Sequence, residues 1–214
     1  MLGPPEYQEA LLISLVDTTE TGCMEAMRGM FAARKAVFVD LLGWEIPVLD
    51  GRYEIDQFDD EHARYLILTD EAQGHLASAR LLPTTRPHIL DSLFPALSAG
   101  PILRGADTFE ITRFCLDRTL SAPSRRVARN RLVTALVEHA LANGIRTYTG
   151  VADSAWLAQI LRFGWDAAPL GQLLPESKQL AALRIHITAA TPSLLEQTGM
   201  WSPTPSRLAD AAFA

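Results

Sequence analysis

The chain has 214 residues and a mass of 23.5 kDa, with 48% hydrophobic and 21% charged residues. That is the length and balance of one globular domain able to bury about 70% of its chain surface, and it excludes disorder, a collagen-like rod and a bare disulfide scaffold. With 19 bases against 25 acids the net charge is −6 and the pI near 5.4, which disfavours a uniformly basic nucleic-acid binder.

Met27, Met30, Phe31, Val37, Phe38 and Leu41 recur at three- and four-residue spacing and predict one helix over 25–41, with Arg34 in phase with the stripe. A turn-rich, acidic loop runs from Gly43 to Glu61. Two strands follow, Ala63 to Leu68 and His75 to Leu82, separated by the polar turn Thr69 to Gly74. Pro83 to Pro87 breaks the pattern, a helical piece spans Ile89 to Leu97, and Thr108 to Leu116 is a third strand. Ser124 is the predicted cap of a helix whose apolar face is Val127, Ala128, Leu132, Ala135, Leu136 and Ala140, ended by Asn143-Gly144. Ile145 to Val151 alternates as a strand, Asp153 caps the next helix to Phe163, and Leu183 to Thr188 is the last clear strand. After Thr191 the chain reads as a short helix with a loose end. Antiparallel strands followed by strand–helix–strand units predict a mixed sheet with helices on both faces, an α/β or α+β sandwich.

Cys23 and Cys115 have no neighbours that suggest a metal knuckle, and the histidines His62, His75, His88, His139 and His186 lack ligand spacing, so no metal is expected. Neither a GxGxxG nor a GxxxxGK[ST] motif occurs. Met1 to Tyr7 lacks the basic start and apolar core of a signal peptide, and no apolar run is long enough to span a bilayer; the expected location is the cytoplasm, with reduced thiols.

The functional signal is charge at positions where the periodicity calls for apolar side chains. Arg34 lies on a stripe of Met, Phe and Val, and an unpaired buried guanidinium costs several kcal/mol, so it needs a carboxylate or an anionic cleft, or else snorkels to the rim of the core. Arg80 sits in a strand whose two faces both look half-buried. Glu110 and Arg113 are three apart in a strand, which points them to opposite faces unless a β-bulge lies between them. Asp56 and Asp59, flanked by Ile55 and Phe58, are either solvated surface or carboxylates that receive a cation. Three arginines and three acids, Glu110 being the third, converge on a charged cleft. Arg125, Arg126, Arg129 and Arg131 form a basic cluster at a helix start, where free N–H groups favour a phosphate, as on a phosphopantetheine arm or an acidic carrier; ordinary solvated arginines are the plainer alternative. Cys115 reads as a buried strand residue rather than a nucleophile.

Taken in order, Arg34-x-x-x-Phe38, Leu42-Gly43-Trp44, Glu54-x-Asp56-x-Phe58-Asp59, Arg80-Leu81-Leu82-Pro83-Thr84-Thr85, Phe94 and Glu110-x-x-Arg113-Phe114 resemble the acyl-homoserine-lactone synthases, the autoinducer synthases of bacterial quorum sensing. The resemblance runs from about residue 25 to 190. It implies a GNAT-like N-acyltransferase fold, a three-layer sandwich with a V-shaped cleft in its sheet, as one domain over 1–190 followed by a C-terminal helix and tail over 191–214. It implies S-adenosylmethionine as substrate rather than a bound cofactor, with a fatty-acyl thioester on acyl carrier protein or coenzyme A as donor. The methionyl amine attacks the thioester, and the carboxylate then displaces the sulfonium to close the lactone and release methylthioadenosine.

By the same resemblance Arg34, Phe38, Trp44, Asp59, Arg80 and Phe94 bind S-adenosylmethionine, while Glu110, Asp56 and Arg113 are the catalytic group. Glu110 is the first candidate for taking the amine proton and Asp56 the second, and Arg80 and Arg113 bind the carboxylate or lock the acids. Ile111-Thr112 precedes Arg113 where the family often has a serine, and the segment 125–131 lacks the glycines that cradle a pyrophosphate in acetyl-coenzyme-A enzymes. The expected acyl pocket is apolar and lies in the second half, with Leu136, Thr147, Thr149, Trp156, Leu157 and Ile160 as candidates, either threonine being able to hydrogen-bond a 3-oxo group. Arg125, Arg126 and Arg129 are the candidates for the carrier or its phosphopantetheine. Two other readings fit less of the pattern: a GNAT-like transferase acting on a different amine, and a non-catalytic sensor of S-adenosylmethionine or of an acyl carrier.

Overall fold

The structure is a computed structural model and describes residues 12–16, 24–70, 72, 74–171 and 180–203. In chain order these form β1 (Leu12–Val16), α1 (Met24–Arg34), a π-helical turn over Lys35–Leu41, β2 (Val48–Leu49), β3 (Tyr53–Glu54), β4 (Arg64–Thr69) and β5 (His75–Pro83). There follow α2 (Ile89–Ser92), a 3-10 turn over Pro95–Leu97, β6 (Thr108–Leu116), α3 (Ala122–Ala142), β7 (Thr147–Asp153), α4 (Ser154–Ile160), β8 (Asp166–Pro169), β9 (Leu180–His186) and α5 (Thr191–Gln197). Seven strands make one sheet in the order β1-β4-β5-β6-β7-β9-β8, and β2 and β3 make a separate hairpin. Every neighbouring pair is antiparallel except β6 and β7.

Strand alternation divides the sheet between two helical layers. Leu66, Leu68, Ala77, Ala79 and Leu81 pack with Leu132, Val133 and Leu136 of α3, with Leu157 and Ile160 of α4 and with Leu195 of α5. On the other face Tyr65, Ile67 and Leu82 pack with Ala26 and Met30 of α1 and Ile89 of α2. The expected mixed sheet with helices on both faces is therefore the observed architecture.

The parallel pair β6–β7 is short. Only Thr108, Glu110 and the residue between them are in register with Thr147 to Thr149; beyond that β6 continues beside β5 and β7 beside β9. The two strands diverge and leave a wedge in the sheet. Gly150 stands where they part, and a Cβ there would come within 3.2 Å of the Ile111 carbonyl oxygen, a tight approach that glycine relieves.

Several predicted elements shift. The helix expected over 25–41 is α-helical only to Arg34; the π turn then bonds Leu42 N–H to the Val37 carbonyl at 3.0 Å. The wider turn adds a residue to the repeat, so Phe38 stays buried while Leu41, expected on the stripe, is 58% exposed. The cap of α3 is Ser121, not Ser124: its Oγ accepts the Ser124 N–H at 3.3 Å, and the helix begins one turn earlier with proline in its first turn. Val127, expected on the apolar face, is exposed. Asp153 caps α4 as expected, accepting from Trp156 N–H at 2.9 Å, but the helix stops at Ile160 rather than Phe163. The strand expected over 145–151 is β7, displaced by two residues, and the one expected over 183–188 is β9, which begins at Leu180. The strands β1, β2, β3 and β8 had no counterpart in the pattern. The Met1 to Tyr7 start, Cys23 and the end of the tail lie outside the described residues. Cys115 is buried, and burial pushes its thiol up to about 12, which makes it inert.

Candidate active site

Three arginines and three carboxylates meet on the α1 face of the sheet. Arg34 closes α1, Arg80 comes from the middle of β5, and Arg113 from β6. Glu54 is delivered by the β2–β3 hairpin, whose tight turn holds Asp50 and Gly51 at φ 52° and 66°; Asp56 and Asp59 follow in the loop. Arg34 donates Nε to Glu54 at 2.5 Å and both Nη atoms to Asp59 at 2.8 Å. Arg80 clasps Asp56 through Nη1 at 2.7 Å and Nη2 at 3.1 Å, lies 2.8 Å from Asp59, and donates Nε to Thr112 Oγ1 at 2.9 Å. Arg113 donates Nη2 to Glu54 at 3.0 Å and to Asp56 at 2.7 Å. Burial would lower the Arg34 pKa, but the hydrogen bonds and charges of Asp59 and Glu54 outweigh it and hold the guanidinium charged. Burial alone would likewise raise Asp59, and Arg34 and Arg80 pull it well below the usual carboxylate range.

The network decides the readings of Arg34 and Arg80. Neither snorkels; both are closed off and paired with carboxylates. It also corrects the third acid, which is Glu54 and not Glu110.

The bulge required of β6 is present. Ser78 and Arg80 on β5 stand opposite Cys115 and Thr112, so two steps on one strand match three on the other, and Arg113 takes φ 50°. The extra residue turns Arg113 towards the acids on the α1 side. Its guanidinium lies 5.7 Å from the Phe38 ring and 5.8 Å from the Trp44 ring, which stack on each other at 4.8 Å. Every nitrogen of the Arg34 and Arg80 guanidinium groups is engaged, whereas Nη1 of Arg113 carries no hydrogen bond among the described residues.

Glu110 points elsewhere. Its carboxylate accepts the N–H groups of Ile89 at 2.7 Å and Leu90 at 2.8 Å, fastening the start of α2 to β6. Burial pushes its pKa up to about 7 against the pull of those two hydrogen bonds and of Arg80, so near neutral pH it exists in both protonation states. Arg104 pairs with Asp91 on the same helical turn, and Phe94 beyond it is half-buried against the α1-side core.

The expected acyl-pocket residues do not converge. Leu136, Leu157 and Ile160 are closed into the α3–α4 core with Trp156 against them, and Trp156 touches Phe114 of β6 at 5.2 Å across the wedge. Thr147 and Thr149 alternate with Tyr148, which packs into that core, and so face the other side of the sheet, like Val151. Thr149 is buried, and its hydroxyl has no hydrogen-bond partner among the described residues. Arg125 is engaged with the carbonyls of Asp117 and Arg118, Arg126 is exposed, and Arg129 lies 5.3 Å over the Phe163 ring, so the basic cluster is spread along one helix turn rather than gathered on one point. Glu54, Thr112 and Tyr65, whose hydroxyl donates to Asp59 at 2.8 Å, are members of the site that spacing did not single out. A carboxylate two residues before Asp56 was the available signal for Glu54. Among the described residues no group of His, Cys, Asp and Glu is arranged to hold a metal ion, and no helix is long and apolar enough to cross a membrane.

This geometry has known relatives. Residues 20–193 match the family model described as autoinducer synthase. The chain belongs to the autoinducer synthase family. An acyl-homoserine-lactone synthase of Rhizobium etli is 35% identical over 209 residues, covering 92% of this chain and 96% of its own length. One from Ralstonia nicotianae is 33% identical over 167 residues, covering 74% and 80%. Among solved structures, the coenzyme-A-dependent acyl-homoserine lactone synthase BjaI, with SAM and isopentyl-CoA, is similar at a TM-score of 0.77 and 27% identity over 90% of this chain and 91% of that one. TofI, in a ternary complex with an inhibitor and MTA, follows at 0.70 and 29% identity, over 87% and 96%. A putative N-acetyltransferase from Lactobacillus plantarum, at a TM-score of 0.57 and 17% identity over 84% and 99%, shares the fold alone.

Proposed function

We propose that this autoinducer synthase acylates S-adenosylmethionine and closes the product to an N-acyl-homoserine lactone. The amine nitrogen bonds to the thioester carbonyl carbon and the thiol departs. A methionyl carboxylate oxygen then bonds to the methylene carbon next to the sulfonium, and methylthioadenosine leaves with the electron pair of the broken carbon–sulfur bond. The observation that carries this reading is Nη1 of Arg113, unengaged among the described residues and set against the Phe38–Trp44 stack beside Asp56. S-adenosylmethionine bears a carboxylate, an ammonium and a sulfonium beside an aromatic base. Arg113 supplies the free donor for the carboxylate, Asp56 the carboxylate nearest to it for the ammonium, and Phe38 and Trp44 the aromatic wall.

An amine attacks only when neutral, and Glu110, three residues before Arg113 on β6, takes that proton through water, since both its oxygens are held by the Ile89 and Leu90 N–H groups. Asp56 then orients the amine. Arg34, Asp59 and Arg80 hold this arrangement without touching substrate. Phe94, packed on the α1-side core that also holds Phe58, borders it.

The acyl chain enters the wedge between β6 and β7, where the Thr149 hydroxyl is unpaired. The donor's pantetheine arm approaches along the start of α3, where Arg126 is exposed, and either acyl carrier protein or coenzyme A can supply it. The relative solved with SAM and isopentyl-CoA supports a coenzyme A donor; the missing glycines support a carrier protein. Mass spectrometry of the protein with S-adenosylmethionine and a panel of both thioester types tests the reading. Methylthioadenosine with an acyl-homoserine lactone is the expected result, and thioester consumption without methylthioadenosine overturns it.

A further inference from the structure

Asp59 is the most heavily engaged carboxylate of the network. Its Oδ1 accepts from Arg34 Nη1 and the Tyr65 hydroxyl, each at 2.8 Å, and is ion-paired with Arg80 Nη1 at 2.8 Å, while its Oδ2 accepts from Arg34 Nη2 at 2.8 Å and the Asp56 N–H at 2.9 Å. Four hydrogen bonds and the Arg80 charge converge on this carboxylate, and its side chain is 1% exposed, so Asp59 is turned wholly to the network. Tyr65 is the one neutral side chain among those donors. It rises from β4 and is 1% exposed. Its ring stands edge-on to Phe31 at 6.1 Å and 76°, and the Arg34 guanidinium lies 5.1 Å over the same Phe31 ring. Phenol, phenyl ring and guanidinium thus form a closed circuit that ends on one carboxylate oxygen.

We infer that Tyr65 is a positioning residue for S-adenosylmethionine: by holding Asp59 between Arg34 and Arg80 it presents Asp56, and through Asp56 the free arm of Arg113, to the substrate. The inference rests on the reading that the mouth between Asp56 and Arg113 receives that substrate. The backbone link supports it, since the Asp56 N–H is itself bonded to Asp59, so a carboxylate that swings carries the Asp56 backbone with it. Arg80 supplies the second link, because one of its nitrogens serves both acids. Burial and the neighbouring Asp59 charge push the phenol pKa upwards, so Tyr65 remains a donor.

The test is Tyr65→Phe, which removes one oxygen and keeps the ring. The expected result is an increase of about tenfold in both Kd and KM for S-adenosylmethionine, with the KM for the acyl thioester within about twofold of the parent. A general loosening of the fold would instead weaken both substrates together. Phe31→Leu, which keeps the hydroxyl but removes the ring it leans on, is the second variant and is expected to show a smaller loss confined to the same substrate. Unchanged S-adenosylmethionine binding in a folded Tyr65→Phe protein overturns the inference, as does an equal loss for both substrates. If the parent binds S-adenosylmethionine but releases no methylthioadenosine with any thioester, the proposed reaction fails, and the Kd comparison alone decides the role of Tyr65.

Discussion

Asp56 and Arg113 meet at 2.7 Å, Oδ2 to Nη2, and their side chains, 6% and 10% exposed, are the only members of the six-residue network that reach the surface; the other four are at 1% or less. A buried polar cluster therefore ends in one acid–base pair at its mouth.

Arg113→Lys keeps the charge but loses the fork that spans Glu54, Asp56 and a ligand at once. KM for S-adenosylmethionine is expected to rise at least about tenfold, and melting temperature to fall, because lysine keeps a charge beside the buried Glu54 but not the three hydrogen bonds it receives from Arg113. Steady-state release of methylthioadenosine measures the first and thermal denaturation the second.

Arg34→Met leaves Glu54 and Asp59 buried without their main partner. Breaking such a pair costs about 3–5 kcal/mol. Urea denaturation is expected to show that loss with an unchanged slope; a loss below about 1 kcal/mol would mean that the acids are held by Arg80 and Arg113 alone.

Glu110 has its pKa raised from 4.5 to about 7 by burial. The folded state binds that proton more tightly than the unfolded one, so the contribution of Glu110 to stability is fully present below pH 4.5 and is lost as pH rises through about 7. Glu110→Gln is expected to flatten the melting temperature over that window relative to the parent. The same variant should bind S-adenosylmethionine normally by equilibrium dialysis and turn over about a hundredfold more slowly. Full turnover would remove Glu110 as the proton acceptor.

Thr149 offers a buried hydroxyl with no partner beside the strand wedge. A site that hydrogen-bonds a substrate oxygen rejects an analogue lacking it more strongly than an apolar pocket does. Thr149→Val is expected to shift the ratio of kcat/KM for 3-oxo over unsubstituted acyl thioesters by about tenfold towards the unsubstituted chain. An unchanged ratio with unchanged turnover would place the chain elsewhere.

Arg34, Arg80 and Arg113 were legible because each broke an apolar or strand pattern, and the strand Thr108–Leu116 carries its predicted bounds. The bulge that aims Arg113 followed from the three-residue offset to Glu110, although the bulge serves Glu54 and Asp56 rather than Glu110. Glu54 was hidden because a glutamate in an acidic loop has no period to violate; only the hairpin turn at Asp50-Gly51 brings it under Arg34. The π turn at Lys35–Leu41 was illegible for a related reason, since its apolar spacing is nearly that of an α-helix and the difference lies in hydrogen bonding. Grouping Thr147 and Thr149 with Leu136 failed on strand alternation, which sends the threonines to the face opposite α3.

The matching of three guanidinium groups with three carboxylates has a kinetic meaning as well. Such a cluster has local dipoles but no net charge, and its field dies away within a few ångströms of the mouth. The cluster itself then neither draws in nor repels a sulfonium-bearing substrate on its way through solvent; its recognition begins at contact. The arginines at the start of α3 stand outside this cancellation, and on the proposed approach of an anionic donor along them, its arrival is the one that salt slows.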